Sequence, residues 1–272
     1  DAKGAAVGAE FQVNSHTLND QSEPEVASLA NGGFVAVWRS TSQDGSGSYG
    51  VYAQVYGADG APVGGEYLVN TTITSNQYEP SVVGLSDGSF VVAYRSDYKD
   101  AAYLSGDDVL AKRYDASGTL LVDEFTLNTT TAATQFEPRL AALSGGQFVA
   151  VWADTSNDGS SYGVFSKVFN SDGSQAVAEQ VVSTTVSGTQ YGPDVAALTG
   201  GGYVAVWWSA DNQIHGQRFD ATGAKMGSEF QVSPVDTAAS NNWGRVTALD
   251  SGGFVVAWDA TNGDVYVQQY DA

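Results

Sequence analysis

GGFVAVW, residues 32–38, is written five times along this chain. It returns as GSFVVAY (88–94), GQFVAVW (146–152), GGYVAVW (201–207) and GGFVVAW (252–258). In the first copy Phe34, Ala36 and Trp38 alternate with Val35 and Val37, so an extended strand is apolar on both faces. Such a strand has to be covered on both sides. Its Phe, Val and Trp content favours strand. NGG (31–33) and DGS (87–89) supply the positive φ of a hairpin leading into it.

Around each heptamer lies a longer unit. An outer element recurs as EFQVN (10–14), EYLVN (66–70), EFTLN (124–128), EQVVS (179–183) and EFQVS (229–233). A Q-x-E-P element follows as QSEP (21–24), QYEP (77–80), QFEP (135–138), QYGP (190–193) and NWGR (242–245). After the heptamer come VYAQVY (51–56), VLAKRY (109–114), VFSKVF (164–169), IHGQRF (214–219) and VYVQQY (265–270). A fixed period in this range signals a propeller, solenoid or array. Four short strands per unit give an all-β fold, a five-bladed β-propeller of four-stranded antiparallel blades. The units are 15–70, 71–128, 129–183, 184–233 and 234–272 plus 1–14, one domain over 1–272. The last unit stops after its third strand, so the N-terminal EFQVN is expected to complete it beside VYVQQY and close the ring. The start without Met reads as a processed or excised product, and DAKGAAVGAE (1–10) lacks the apolar centre of a signal peptide.

Eleven basic residues against 31 acidic ones give a net charge of −20, which argues against nucleic acid and anionic membranes as partners. No cysteine is present, so disulfides and Cys-ligated zinc are excluded. No apolar run is long enough to span a membrane. Nothing in the pattern demands self-association, so the isolated domain is expected to be a monomer.

Function should sit on the face that carries the long loops. Between Gln and Glu of Q-x-E-P the residue varies: Ser22, Tyr78, Phe136, Tyr191, Trp243. Exposed aromatics can stack on sugar rings. Trp208 follows the core aromatic of its heptamer, where the other units hold Arg39, Arg95, Ala153 and Asp259. The ligand-binding candidates are therefore Trp208, Trp243, Tyr191, Tyr78, Phe136, Arg39, Arg95 and Asp259. Glu23, Glu79 and Glu137 could act as paired carboxylates, but their equivalence across the repeat reads first as structural; units four and five show Gly192 and Gly244 there. His16 and His215 read as a loop residue and a packed residue. Calcium is the one cofactor that the acidic loops invite, best at Asp97, Asp100, Asp107 and Asp108. NTT (70–72 and 128–130) matches a glycosylation sequon, yet ends a repeated strand and reads as structural.

The run from EF-x-VN through Q-x-EP and GGFVVAW to Y-D-A-x-G resembles tandem repeats of very large secreted bacterial surface proteins, adhesin-like and of the calcium-binding RTX type. The resemblance covers nearly the whole chain and implies export to the bacterial surface or beyond. The GGxGxD nonapeptides of that class are absent. These readings together lead to an extracellular, non-catalytic, lectin-like module for a glycan or surface partner. A structural spacer or protein-interaction module is the first alternative, and a polysaccharide-cleaving enzyme the second.

Overall fold

The computed structural model describes residues 6, 8–97, 106–131, 133–155, 158–233, 241–260 and 262–272. Among the described residues nineteen strands form five antiparallel sheets in chain order. Sheet 1 holds β1 (Gln21–Ser28), β2 (Phe34–Thr41), β3 (Tyr49–Tyr56) and β4 (Pro62–Leu68). Sheet 2 holds β5 (Gln77–Gly84), β6 (Phe90–Ser96), β7 (Asp108–Tyr114) and β8 (Leu120–Thr126). Sheet 3 holds β9 (Gln135–Ala142), β10 (Phe148–Asp154), β11 (Gly163–Phe169) and β12 (Gln175–Val181). Sheet 4 holds β13 (Gln190–Ala197), β14 (Tyr203–Ser209), β15 (Gln213–Phe219) and β16 (Lys225–Gln231). Sheet 5 holds β17 (Asn241–Ala248), β18 (Phe254–Ala260) and β19 (Val265–Tyr270). Among the described residues no helix is long and apolar enough to cross a membrane.

The two-faced heptamer explains how the sheets stack. Val35 and Val37 of sheet 1 pack with Phe90, Val92 and Tyr94 of sheet 2. Val91 and Ala93 of sheet 2 pack with Phe148, Ala150 and Trp152 of sheet 3, and the same exchange joins sheets 3 to 4 and 4 to 5. The inner strands β1, β5, β9, β13 and β17 pack in that order, giving a β-propeller arrangement. The approach there is close: a Cβ on Gly84 would lie 2.1 Å from the Ser28 carbonyl oxygen. Within each sheet the first aromatic of the heptamer stacks on the ring ending the third strand. Tyr203–Phe219 at 4.4 Å, Phe34–Tyr56 at 4.7 Å and Phe148–Phe169 at 5.1 Å are examples. These cross-strand pairs add to plain area burial.

The expected closure of the ring is corrected by the structure. Residues 8–14 form no strand and pair with no sheet. They lie on sheet 1, with the Phe11 ring 5.4 Å from Tyr56 and the Tyr56 hydroxyl donating to the Val13 carbonyl at 3.1 Å. β17 and β1 do not pack together as the other inner strands do. Sheet 5 stays three-stranded, and its face beyond β18 is uncovered: Val265 and Val267 are 75% and 62% exposed, whereas Val51 and Ala53 at the same repeat positions are 0%. The local pattern of EFQVN favours strand, but only a partner edge within reach makes it one.

The sequon asparagines are buried turn-formers. Asn128 accepts from the Val109 N–H at 2.9 Å and donates to the Thr130 carbonyl and to Gln135 Oε1 at 2.9 and 3.0 Å. Asn70 does the same with Val51, Thr72 and Gln77. Asn128→Ala strands a buried N–H and a buried amide, so it should lower the unfolding free energy by about 2 kcal/mol. A urea unfolding curve with an unchanged midpoint would show the bonds to be dispensable.

Candidate functional site

Each Q-x-E-P element is a β-bulge. The pairing of the inner strand with the heptamer strand skips between Ser22 and Glu25, Tyr78 and Ser81, and Tyr191 and Asp194, and equivalently in sheets 3 and 5. The bulged residue takes positive φ: Glu23 55°, Glu79 53°, Glu137 55°, Gly192 65° and Trp243 34°. This corrects the alignment of the last unit. Trp243, not Gly244, stands at the Glu position, and Asn242 stands at the variable aromatic position opposite Asp259. A side chain held at such a φ costs of order 1 kcal/mol, and the sites that keep it tend to be functional.

The bulge aims each carboxylate at the next sheet. Glu23 Oε2 accepts the Glu79 N–H at 2.7 Å, Glu79 Oε2 the Glu137 N–H at 2.6 Å, and Glu137 Oε2 the Gly192 N–H at 2.8 Å. At the fourth junction Gly192 has no carboxylate, and Asp194 Oδ2 accepts the Val246 N–H at 2.8 Å instead. Glu23, Glu25, Glu79, Glu137 and Arg139 line one cavity of about 160 Å³, with Pro24 and Pro80.

The second oxygens differ. Glu23 Oε1 pairs with Arg39 at 2.7 Å, and Arg39 also donates to Ser22 Oγ and covers the Tyr49 ring at 4.4 Å. Glu79 Oε1 pairs with Arg95 at 3.1 Å. Arg95 donates to Asp107 at 2.7 Å and lies over Tyr78 at 4.7 Å and Phe136 at 5.5 Å. The equivalent of Arg39 and Arg95 opposite Phe136 is Ala153. Glu137 therefore has no cross-strand guanidinium of its own. Burial is the main cause that pushes its carboxyl up to about 7; the Glu79 charge adds to this, while the Gly192 N–H, Arg139 and Arg95 oppose it. Asp194 is also raised, by burial.

The other expected site residues fall around this centre. Tyr191 packs on Trp208 in a tilted contact at 4.8 Å and meets Trp243 edge-on at 5.9 Å. Trp243 is 43% exposed, and its ring lies against Gly192. Phe136 packs edge-on against Tyr162 at 5.6 Å. Tyr78 is tied by its hydroxyl to Asp107 at 3.1 Å. Asp259 is exposed near the end of β18, the middle strand of sheet 5. The sequence reading missed Asp107 as a partner of Arg95, missed Asp194, and did not pair Ala153 with Glu137. The two arginines stand one per unit beside two of the three glutamates, which was the available signal.

The described acidic residues of the acidic loop are each engaged by other groups. Asp97 accepts from the Asn76 backbone and side chain at 2.6 and 2.8 Å, Asp107 from Arg95 and Tyr78, and Asp108 from Asn128 at 2.7 Å. Asp100 lies outside the described residues. Among the described residues no group of three or more His, Asp or Glu could hold a metal ion. His215 is braced between Glu229 and Asp211, 2.9 Å from each. Burial pulls its pKa down, but those two hydrogen bonds outweigh it and leave it above its ordinary value.

No family model and no curated relative matches the chain. Solved structures do. An α-L-arabinanase of Penicillium chrysogenum, complexed with arabinobiose, is 16% identical and has a TM-score of 0.62 over 92% of this chain and 76% of that one. An α-L-arabinofuranosidase of Fusarium graminearum, with an iminosugar inhibitor, is 12% identical and has a TM-score of 0.62 over 92% and 76%. A Hadza microbial sialidase is 10% identical and has a TM-score of 0.61 over 88% and 52%. At these identities the likeness is one of fold. The expectation of a non-catalytic, lectin-like module is corrected to this extent: the three structures that share the fold are those of enzymes, an arabinanase, an arabinofuranosidase and a sialidase.

Glu137 also makes stability depend on pH. Its folded pKa of about 7 exceeds the ordinary 4.5, so the native state holds its proton more tightly than the unfolded chain does. Its contribution is whole below pH 4.5, falls as pH rises to 7, and above that costs on the order of 3 kcal/mol. Glu137→Gln keeps the acceptor for Gly192 and removes the titration. It should raise the thermal midpoint at pH 8 and leave it unmoved at pH 4. Equal shifts at both pH values would place the effect elsewhere.

Proposed function

We propose that the chain cleaves glycosidic bonds in a polysaccharide, with Glu137 as the general acid. The observation that carries this is the asymmetry among three repeat-equivalent carboxylates around one cavity. Two pair with a cross-strand arginine, and the third is buried with Ala153 in that place and pushed up to about 7. Glycoside hydrolysis needs two carboxyl groups whose environments hold one protonated and the other charged. Protonated Glu137 donates to the leaving-group oxygen as the anomeric C–O bond breaks. Glu79, its charge facing Arg95, stabilises the positive charge developing on the sugar and takes the proton of the attacking water. Trp243 and Tyr191 offer ring faces for a neighbouring sugar unit. The arabinanase and arabinofuranosidase neighbours support an arabinose-containing polymer as the first substrate to try. The resemblance to exported bacterial surface proteins supports an extracellular one.

Reducing-end release from arabinan and a panel of plant and bacterial polysaccharides tests the proposal. Turnover should fall on the alkaline side with an apparent pKa near 7. Glu137→Gln should lower kcat by 10²–10⁴-fold, roughly the size of a general-acid contribution, while keeping the fold. Full activity in that variant, or no release from any polymer, would sink the assignment. Trp243→Ala should raise KM several-fold with little change in kcat or thermal midpoint. A collapse of the midpoint would make Trp243 a wedge between sheets instead.

A further inference from the structure

Three independent features mark the space between sheet 5 and sheet 1. The first is uncovered apolar surface. Val265 and Val267 on sheet 5 and Val26 on sheet 1 are exposed, although every equivalent face in the stack is packed against a neighbour.

The second is the seat of residues 8–14. In the rest of the stack the outer strand of one sheet lies on the next sheet in a fixed way. Tyr67 packs on Tyr114 at 5.3 Å, the Tyr114 hydroxyl donates to the Val69 carbonyl at 3.4 Å, and the Thr71 N–H donates to Glu124 at 3.0 Å. Phe11, Val13 and Ser15 repeat this on sheet 1, through the Tyr56 ring, the Tyr56 hydroxyl and Glu66, the last at 2.6 Å. Residues 8–14 thus hold the place of an outer strand of the sheet preceding sheet 1, yet they do not pair with β19.

The third is the carboxylate stitch. The N–H groups of Glu79, Glu137 and Gly192 each receive a carboxylate from the sheet before. Glu23 has the same backbone conformation, but the bulge position of sheet 5 holds Trp243, which has no acceptor to offer.

We infer that the space between sheets 5 and 1 is the seat of a sixth sheet, built by one further unit of this repeat continuous with the chain. That unit supplies the missing outer strand beside β19 and the first three strands of the sixth sheet, to which residues 8–14 add the fourth. Its Q-x-E-P carboxylate caps the Glu23 N–H and completes the wall of the cavity. Apolar-to-apolar packing and an acceptor for a positive-φ N–H are what the repeat itself provides at the other junctions, and a second folded copy of the chain, with Trp243 at the bulge of its sheet 5, has no such acceptor to offer.

The chain has no cysteine, so engineered pairs report directly. β3 and β4 place Ala53 opposite Tyr67, and their repeat equivalents are Val267 and Phe11. In a ring closed by five sheets, Phe11→Cys and Val267→Cys would therefore cross-link on oxidation. We expect no link in the chain as it stands. The chain is then extended after Ala272 by a copy of residues 59–115, which carries its own Glu79. In that chain Phe11→Cys should link to Ala111→Cys of the copy, β19 amides should gain exchange protection, and the thermal midpoint should rise by about 5 °C or more. Glu79→Gln within the copy should give back part of that rise. A Phe11–Val267 link in the unextended chain overturns the inference, and so does an extended chain with no link and no gain in midpoint or protection. A dimer that buries Val265 and Val267 in the unextended chain would assign the space to a second copy and overturn it equally.

Discussion

A strand that is apolar on both faces has to be covered twice, and that requirement organises the whole molecule. Val35 and Val37 need sheet 2 just as Phe34, Ala36 and Trp38 need something behind them. Each sheet therefore hands its need for cover to the next, and the stack turns about the inner strands. The strand-dominated, turn-rich fold follows from this, because hairpins are the shortest way to return a strand to the same sheet. The same need makes the exposure of Val265 and Val267 more telling than a scattered surface valine, which requires no explanation.

Superimposed on apolar packing is a polar thread. The bulge at each Q-x-E-P turns a carboxylate out of its own sheet and onto the neighbour's backbone. The geometry is repeated, but the surroundings are not. Arg39 and Arg95 answer Glu23 and Glu79, whereas Ala153 leaves Glu137 with its burial. A structural element thus becomes a candidate acid by the loss of one guanidinium. Chemistry here can arise from a departure within the repeat, with the strand scaffold unchanged.

The strands and their stacking were legible in the sequence because alternation and turn chemistry act locally. The sequon asparagines were legible for the same reason, as each closes a turn within a few residues of itself. The site was less so. Trp243 was placed one position off, because NNWGR offers no Gln-Glu-Pro anchor and a bulge absorbs the slip. Glu137 read as one of three equals, since its difference lies in Ala153, a cross-strand neighbour of Phe136 that only register brings near. Asp97, Asp107 and Asp108 looked like a cluster along the chain, but Asp97 follows β6 while Asp107 and Asp108 lie at the start of β7, where other groups engage them. Ring closure was misjudged because the angle between successive sheets is a sum of many packing contacts and leaves no mark on any one motif.

The serial stack also carries a kinetic consequence. Where each sheet touches only its neighbours, stability is a sum of unit and interface contributions, as in a linear array. A stack with two ends loses its terminal member at the cost of one interface, whereas a member of a closed circle is held by two. Where no sixth sheet is in place, sheet 5, three-stranded and covered on one face only, is the element from which the structure begins to unzip. Opening at that end need not disturb the Glu79–Glu137 pair two sheets away.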